Sequence, residues 1–301
     1  MFVQTNGMGW VPDHPDCRDL TMEADDVRPR HAKLGQRSVK SNLERVGVAE
    51  SVKVSTSVDL RQFCSPVETQ GAIGSCTAHA GVGCLEYFER RAFGSHLDAS
   101  RLFLYKVSRD LMGWTGDTGA TLRATMAALV LAGVPPEKYW PYDVNKFDVE
   151  PGAFLYALAD NYNAVAYYRL DPQGITASAL VGRVKVLLQH KLPAMFGFSV
   201  YSSIDQAASK KGKIPYPSSK ESRIGGHAVM AVGYDDEITI ANSLGSESET
   251  KGALLIRNSW GPDWGEDGYG WLPYAYVLNG LAVDWWSLIK SEWVDTGQFG
   301  L

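Results

Sequence analysis

The chain has 301 residues, of which 45% are hydrophobic and 21% charged, so it can bury a full core in one large or two modest domains. Its net charge of −5 and its scattered lysines and arginines argue against a surface for nucleic acid or anionic membranes. No stretch approaches the roughly 18 apolar residues of a membrane span. The first twenty residues also lack the basic start and apolar run of a secretory signal. We therefore expect a cytoplasmic monomer that binds neither nucleic acid nor membrane, with export by a route that leaves no N-terminal signal as the alternative.

The four cysteines lie too far apart for the close pairs of a structural zinc site, and they are too few for a disulfide scaffold. This spacing favours reduced thiols, and we expect neither a metal nor an organic cofactor. Cys84 lies two turns into a predicted helix and is expected to be part of the hydrophobic core. Cys17 and Cys64 have no base partner visible in the sequence.

Helical patterns come first along the chain. Residues 1–57 show only short periodic pieces. Cys76 then opens a segment whose small or apolar residues recur in steps of three and four, which predicts a helix buried on one face and ended by Gly94. A second, capped helix is predicted after Asp98, and a third over residues 119–131 before a glycine and two prolines.

Strand patterns dominate the second half. One further helix is predicted over residues 176–190. Strand-like runs follow at 194–200, 227–234, 237–241, 253–257 and 269–272, and two polar stretches, 202–223 and 243–251, are predicted surface loops. A helical half followed by a strand-rich half predicts an α+β protein in two lobes with a cleft between them.

A cysteine stands at the predicted start of the first of these helices. Cys76 follows the glycine-containing loop 70–75. The free N–H groups and the dipole at a helix N-terminus favour a thiolate over a thiol. Most unpaired cysteines, however, are small buried hydrophobes, so the position of Cys76 alone leaves both interpretations open.

Two later segments favour a nucleophile. Two glycines precede His227 at the head of an apolar strand, which allows another part of the chain to approach closely. Asn258 follows a later strand, where its side-chain oxygen can accept from one imidazole N–H and fix the tautomer. Trp260 is placed to shield that bond from water. A Cys–His–Asn arrangement is therefore predicted.

Three blocks of this sequence resemble the signature blocks of the papain family of cysteine peptidases. They are PVETQGAIGSC at residues 66–76, GHAVMAVGY at 226–234 and NSWGPDWGEDGY at 258–269. Residues 59–61 resemble the start of that family's mature enzymes. The blocks stand in the family's order, which makes the resemblance far more specific than any one block.

The resemblance implies a papain-like fold with a helical left lobe, a β-barrel-like right lobe and the active-site cleft between them. It implies that Cys76 is the nucleophile, that His227 acts as base and then acid, and that Asn258 orients the histidine. Gln70 would supply an N–H to the oxyanion hole, together with the backbone N–H of Cys76. The substrates would be proteins or peptides, hydrolysed through a thioester acyl-enzyme.

Substrate-binding residues also follow from the resemblance. The loop 116–119 resembles the family segment that pairs with the substrate backbone. Residues 281–284 are expected to help line the pocket for the side chain two residues before the scissile bond, where an acidic floor from Asp284 would admit arginine. The predicted substrate-binding set is Thr118, Gly119, Ala228 and Trp260.

The chain departs from the family pattern in three places. Ile73 replaces the family's usual disulfide cysteine, and the loop 116–119 lacks the partner cysteine, which fits a reducing compartment. Thr77 replaces the usual aromatic residue after the nucleophile. The spacing from His227 to Asn258 is longer than usual, and a polar insertion between them can absorb the excess.

The predicted domains are an N-terminal segment, residues 1–57, and a catalytic domain, residues 58–301, with lobes at about 58–160 and 161–290. The N-terminal segment lies where the family carries an inhibitory propeptide. The preferred hypothesis is that it covers the cleft and makes the protein a latent zymogen. The alternative is an accessory segment packed on the surface. Rigid, apolar contact surface for a cover is offered by Trp10, Pro12 and Pro15.

Three functions are compatible with these motifs. The first is an endopeptidase. The second keeps the thioester chemistry but acts as an acyl transferase, a peptide ligase or an aminopeptidase, which the sequence does not separate because acceptor choice depends on cleft shape. The third is a non-catalytic peptide-binding protein, which the intact set of Gln70, Cys76, His227 and Asn258 argues against.

Overall fold

A computed structural model of the chain describes residues 7–27, 29–48, 53–161, 166–209, 211–243 and 249–300. Its helices are α1 (Pro29–Lys33), α2 (Val39–Arg45), α3 (Cys76–Phe93), α4 (Arg101–Leu111), α5 (Leu122–Leu131), α6 (Ala153–Ala159), α7 (Ala177–Gln189), α8 (Asp205–Ser209), α9 (Tyr274–Leu278) and α10 (Ser291–Asp295). No helix of these described ranges is both long and apolar enough to cross a membrane.

The four predicted helices are confirmed. Helix α3 begins at Cys76, and Gly94 ends it with a φ of 76°, a left-handed conformation that favours glycine. Helices α4, α5 and α7 begin after Ser100, Thr121 and Thr176, whose side chains accept backbone N–H groups of the first turn. Helices α3, α4 and α5 pack together as the helical lobe.

The strands are β1 (Ser57–Asp59), β2 (Ala166–Arg169), β3 (Ala194–Tyr201), β4 (Arg223–Ile240), β5 (Thr250–Arg257), β6 (Tyr269–Pro273) and β7 (Ala282–Ile289). Across the described residues they form one antiparallel sheet in the order β2-β7-β3-β4-β5-β6, with β1 also paired to β4. The two runs predicted at 227–234 and 237–241 are one strand, β4. The tip of the predicted loop 243–251, residues 244–248, lies outside the described residues.

The α+β class and the papain-like architecture are confirmed, but the barrel-like closure of the right lobe is wrong. The edge strands β2 and β6 do not pair with each other in the described part of the chain. Backbone groups of these two edge strands bond instead to segments that are not strands of the sheet. Leu20 accepts from the N–H of Arg169 on β2, and Trp271 on β6 exchanges backbone hydrogen bonds with Gly212 and Ile214. The sheet therefore stays open.

Helix α2 of the N-terminal segment belongs to the hydrophobic core. Val39, Leu43 and Val46 are each less than 5% exposed. Asn42 also accepts from the hydroxyl of Ser291 in α10 at 3.2 Å. Residues 39–46 therefore pack as part of the body of the protein. The domain boundary at residue 57 stays a prediction.

Leu43→Ala should lower the free energy of unfolding by about 2–5 kcal/mol, because it removes a buried side chain and leaves a cavity. Leu34→Ala is the matched control, since Leu34 is 64% exposed and exposed substitutions change stability by only about 0.5 kcal/mol or less. Urea unfolding of both variants measures the difference. Equal midpoints for the two would contradict the packing of α2.

Candidate active site

The three residues predicted for catalysis meet where α3 faces the sheet. Cys76 is the first residue of α3, His227 lies on β4, and Asn258 follows β5. Because Arg257 pairs with Met230, the end of β5 lies beside His227. The Nε2 atom of His227 is 2.7 Å from Oδ1 of Asn258, and the N–H of Ala228 donates to the sulfur of Cys76 at 3.4 Å.

These bonds fix the histidine tautomer. The Asn258 oxygen also accepts from the N–H of Ser259 at 2.8 Å, so Nε2 of His227 carries the proton. Nδ1 has no hydrogen-bond partner among the described residues and is left to act as a base. The ring of Trp260 stacks on the imidazole with centroids 4.6 Å apart. This is the shielding position that the sequence predicted for Trp260.

Gln70 is fully buried in the loop before α3. Its Oε1 accepts from the hydroxyl of Ser259 at 2.6 Å, and its Nε2 donates to the carbonyl of Ile73 at 2.9 Å. A carboxamide carries two N–H groups, so one remains for an oxyanion. The side chain is held at both ends.

A segment of the N-terminus, residues 7–13, runs along the cleft, and we call it the strap. The N–H of Gly7 donates to Gly71 at 2.9 Å, and the N–H of Trp10 donates to Gly226 at 3.2 Å. The backbone N–H of Gly9 in the strap lies close enough to the sulfur of Cys76 to lower the pKa of its thiol. The strap therefore lies against the side chain of Cys76.

The strap pairs with the backbone of Ala120, the residue after the loop predicted to pair with a substrate. The carbonyl of Gly9 accepts from the N–H of Ala120 at 2.8 Å, and the N–H of Val11 donates to the carbonyl of Ala120 at 3.1 Å. Gly119 lies beneath the strap, because a Cβ there would come within 2.0 Å of the Gly9 carbonyl oxygen. Thr118 is exposed at the rim. Sequence reasoning missed Ala120, whose contribution comes from its backbone alone.

The indole of Trp10 fills a pocket beside the cysteine and histidine. A Cβ built on Gly197 would lie 1.8 Å from Cε2 of Trp10, and one on Gly226 would lie 3.0 Å from Cε3. These two glycines therefore make room for a flat ring. The predicted wall residue Ala228 is buried, and its backbone N–H donates to the sulfur of Cys76. Gly197 was not predicted, since a strand glycine has no side chain to signal a pocket.

Asp284 forms the floor of this pocket. It accepts from the indole N–H groups of Trp10 at 3.0 Å and Trp286 at 2.7 Å, and Arg169 lies 3.3 Å away. Burial raises the pKa of Asp284 to about 7, while Trp10, Arg169 and Trp286 act in the opposite direction. Arg169 therefore balances the acidic floor that the sequence suggested would admit arginine.

Two arginines hold the far end of the strap. Arg123 pairs with the carboxylates of Asp13, at 2.8 Å, and Asp19, and its Nη2 donates to the carbonyl of His14 at 2.6 Å. Arg169 donates to the carbonyl of Asp13 at 3.0 Å. The strap is thus anchored by charge at one end and by an aromatic ring in the middle.

The covered site favours a neutral cysteine and a neutral histidine. Both side chains have no exposed surface. Burial raises the pKa of Cys76 to about 11, although backbone N–H groups of Ala228 and Gly9 lower it in part. Burial also lowers the pKa of His227 to about 4, against the bond to Asn258. Each shift disfavours the charged form, so a thiol and an imidazole are present at neutral pH.

The other three cysteines are free thiols. Cys84 lies in the core, as predicted, and Cys64 is also buried. Burial raises the pKa of both thiols. Cys17 is exposed. Of the four, only Cys76 stands beside a histidine held by an asparagine.

Known proteins are similar to this chain in sequence and in fold. Residues 54–277 match the family described as "Papain family cysteine protease". An uncharacterised peptidase C1-like protein of Acanthamoeba polyphaga mimivirus is 32% identical over 287 residues, covering 94% of this chain and 86% of the viral protein. Procathepsin L of Rattus norvegicus is 28% identical over 221 residues, covering 72% of this chain and 60% of its own length.

Solved structures agree with the sequence relatives. Xylellain, a cysteine protease from Xylella fastidiosa, superposes with a TM-score of 0.70 at 32% identity, covering 95% of this chain and 96% of xylellain. The bromelain protease from Ananas comosus, solved with the E64 inhibitor, has a TM-score of 0.55 at 19% identity, covering 78% of this chain and 99% of bromelain, and supports the fold alone. The chain therefore belongs to the papain family and is a papain-like cysteine peptidase, a hydrolase.

Proposed function

We propose that this peptidase is an endopeptidase that cleaves proteins through a Cys76–His227 dyad, and that the strap keeps it latent. The observation that carries the proposal is the 2.7 Å bond from His227 to Asn258. That bond leaves Nδ1 as the basic atom of a histidine whose neighbour, Ala228, contacts the sulfur. A protein that only binds peptides has no need of this arrangement.

In the proposed mechanism, His227 Nδ1 takes the thiol proton and the sulfur attacks the scissile carbonyl carbon. The carbonyl electron pair moves to oxygen, where the N–H groups of Cys76 and Gln70 stabilise the oxyanion. The pair returns, the C–N bond breaks, and His227 protonates the leaving amine. Water, deprotonated by His227, then hydrolyses the thioester and the sulfur departs with a proton. Asn258 holds Nε2–H throughout.

Latency follows from three contacts of the strap. It fills the pocket beside the dyad with Trp10, it bonds the backbone of Gly226 next to His227, whose side chain has no exposed surface, and its Gly9 N–H lies close enough to the sulfur to lower the pKa of Cys76. Displacement of the strap would open the pocket to a substrate side chain and admit water to the dyad. Activation therefore requires the strap to leave or be cut, while α2 can remain in the core.

Product analysis tests the proposal. Because the strap is proposed to keep the unaltered chain latent, the Trp10→Ala variant and its Cys76→Ala and Cys17→Ala derivatives are incubated with a mixture of peptides in ¹⁸O-labelled water, and the products are read by mass spectrometry. We expect internal cleavage with one ¹⁸O in each new carboxyl group, lost in Cys76→Ala and retained in Cys17→Ala. Joined peptides would favour the acyl transferase or ligase, release of single N-terminal residues would favour the aminopeptidase, and cleavage that persists in Cys76→Ala would exclude the proposed nucleophile.

Gln70→Ala should lower kcat about 10²- to 10³-fold with a small change in KM, because an oxyanion donor acts on the transition state. The comparison is made with a fluorogenic peptide in the Trp10→Ala background. Gln298→Ala, at an exposed site, is the control and should match its parent. An unchanged kcat would remove Gln70 from the oxyanion hole.

A further inference from the structure

Tyr142 contacts both ends of the loop that leads into α3. Its hydroxyl donates to the backbone carbonyl of Gln70 at 2.9 Å and lies 2.6 Å from Oγ of Ser75. Gln70 and Ser75 have no exposed surface. One phenol therefore joins the residue that supplies the side-chain oxyanion donor to the residue immediately before the nucleophile.

The direction of these bonds follows from the chemistry of the groups. A carbonyl only accepts, so Tyr142 gives its single hydroxyl proton to Gln70 and must accept the proton of Ser75. Burial raises the pKa of Tyr142, which keeps the proton in place. His79 Nδ1 lies 3.1 Å from the carbonyl of Ser75 and must donate there. The result is a one-way chain of donors from Ser75 through Tyr142 to Gln70.

Ser75 behaves unlike the other serine and threonine N-cap residues of the α-helices that the structure describes. A serine at the N-cap usually accepts from a free N–H of the first helical turn. Ser75 makes no such bond, and its hydroxyl points to Tyr142 instead. The first N–H groups of α3 are thus not occupied by a capping side chain. Helices α2, α4, α5 and α7 show the usual capping bond, from Ser38, Ser100, Thr121 and Thr176.

The phenol itself is held in place. The N–H of Tyr142 donates to Oε1 of Glu137 at 3.2 Å. Two residues earlier, the carbonyl of Trp140 accepts from the hydroxyl of Ser100 at 2.6 Å. The ring meets His79 edge-on, with centroids 5.0 Å apart and an interplanar angle of 83°. These contacts hold Tyr142 against the helical lobe, so it can hold the loop 70–75 in place.

We propose that Tyr142 is a positioning residue for the oxyanion hole. Its hydroxyl sets the separation of the two donors, the Gln70 side chain and the Cys76 backbone N–H, by tying together the ends of the loop that carries them. The inference rests on the proposed function. It predicts that removal of the Tyr142 hydroxyl slows or weakens only those steps that build negative charge on the carbonyl oxygen.

The test is Tyr142→Phe in the full chain, made in the Trp10→Ala background so that the cleft is open. We expect kcat on a fluorogenic peptide to fall about 10- to 100-fold, the effect of a small misplacement of catalytic groups, with KM changed less than about threefold. The affinity of a peptide aldehyde, whose adduct places an oxyanion in the hole, should fall by the same factor. Alkylation of Cys76 by iodoacetamide, which forms no oxyanion, should stay at the parent's rate.

Two further variants complete the design. Tyr139→Phe removes an exposed hydroxyl three residues away and should match the parent. Ser75→Ala removes the other partner, and the double variant with Tyr142→Phe should lose no more than either single one. An active parent whose kcat and aldehyde affinity survive Tyr142→Phe would overturn this inference alone, as would an equal loss of alkylation. A parent that hydrolyses no peptide would overturn the proposed function and this inference with it.

Discussion

Trp10→Ala should raise the rate of peptide hydrolysis by about 100-fold or more. The indole contacts Gly197 and Gly226 and donates to Asp284 only while the strap is docked. Loss of a buried Trp side chain costs about 3–5 kcal/mol, and here that loss falls on the covered state alone. Every 1.4 kcal/mol is about a tenfold change in an equilibrium. The fraction of molecules with the strap undocked should therefore rise by about two orders of magnitude or more.

Two further substitutions define the cause. Trp10→Phe keeps a ring in the pocket but loses the bond to Asp284, so its activity should lie between those of the parent and the alanine variant. Val11→Ala truncates a half-buried neighbour while keeping its backbone bond to Ala120, and should change activity little. The measurement is initial rate on a fluorogenic peptide. If Trp10→Ala were no more active than the unaltered chain while remaining folded, the strap would not be a cover.

The second large effect concerns the ionisation of Cys76. In the covered protein the pKa of its thiol is about 11, so only about 0.01% is thiolate at pH 7. Opening the cleft admits water, which stabilises both ions, so the pKa of Cys76 should fall and that of His227 should rise. The ultraviolet absorbance of the thiolate, taken as the difference from Cys76→Ala, should therefore appear at pH 7 in Trp10→Ala but not in the unaltered chain. In the open variant it should vanish as the pH falls through the lowered thiol pKa.

His227→Ala in the open background is the control for this experiment. Without the imidazolium the thiolate of Cys76 loses its main stabilising charge, so the pKa of the thiol should rise. The thiolate signal should therefore move to higher pH. Equal thiolate signals at pH 7 for the covered and open proteins would show that burial by the strap does not control the dyad.

Local signals were enough to predict α3 and to single out the three residues that meet at its start. Helix α3 has a period of three to four and a glycine that ends it, both within a short window. Cys76, His227 and Asn258 each carry a sequence context of their own. The open edges of the sheet could not be predicted in this way. Whether β2 and β6 pair with each other depends on the segments from elsewhere in the chain that bond to them. Strand β7 was also missed, because Asp284 interrupts its apolar run in the sequence; in the structure Asp284 adopts a positive φ of 64° within the strand.

The contacts that define the pocket are long-range. Trp10 and Asp284 are 274 residues apart, and Tyr142 lies 67 and 72 residues from Ser75 and Gln70. No periodic pattern or motif encodes such pairs, because each partner looks ordinary in its own segment. The preferred hypothesis for the N-terminal segment named Trp10 as contact surface, but which glycines receive the ring required three-dimensional packing.

The most direct test of the central claim is labelling by a peptidyl epoxide of the E-64 type, read by intact mass and peptide mapping. We predict one equivalent on Cys76 in Trp10→Ala, with peptide hydrolysis lost in proportion, and far slower labelling of the unaltered chain. Labelling of another residue, or hydrolysis that survives complete labelling of Cys76, would contradict the account of Cys76 as the nucleophile beneath the strap.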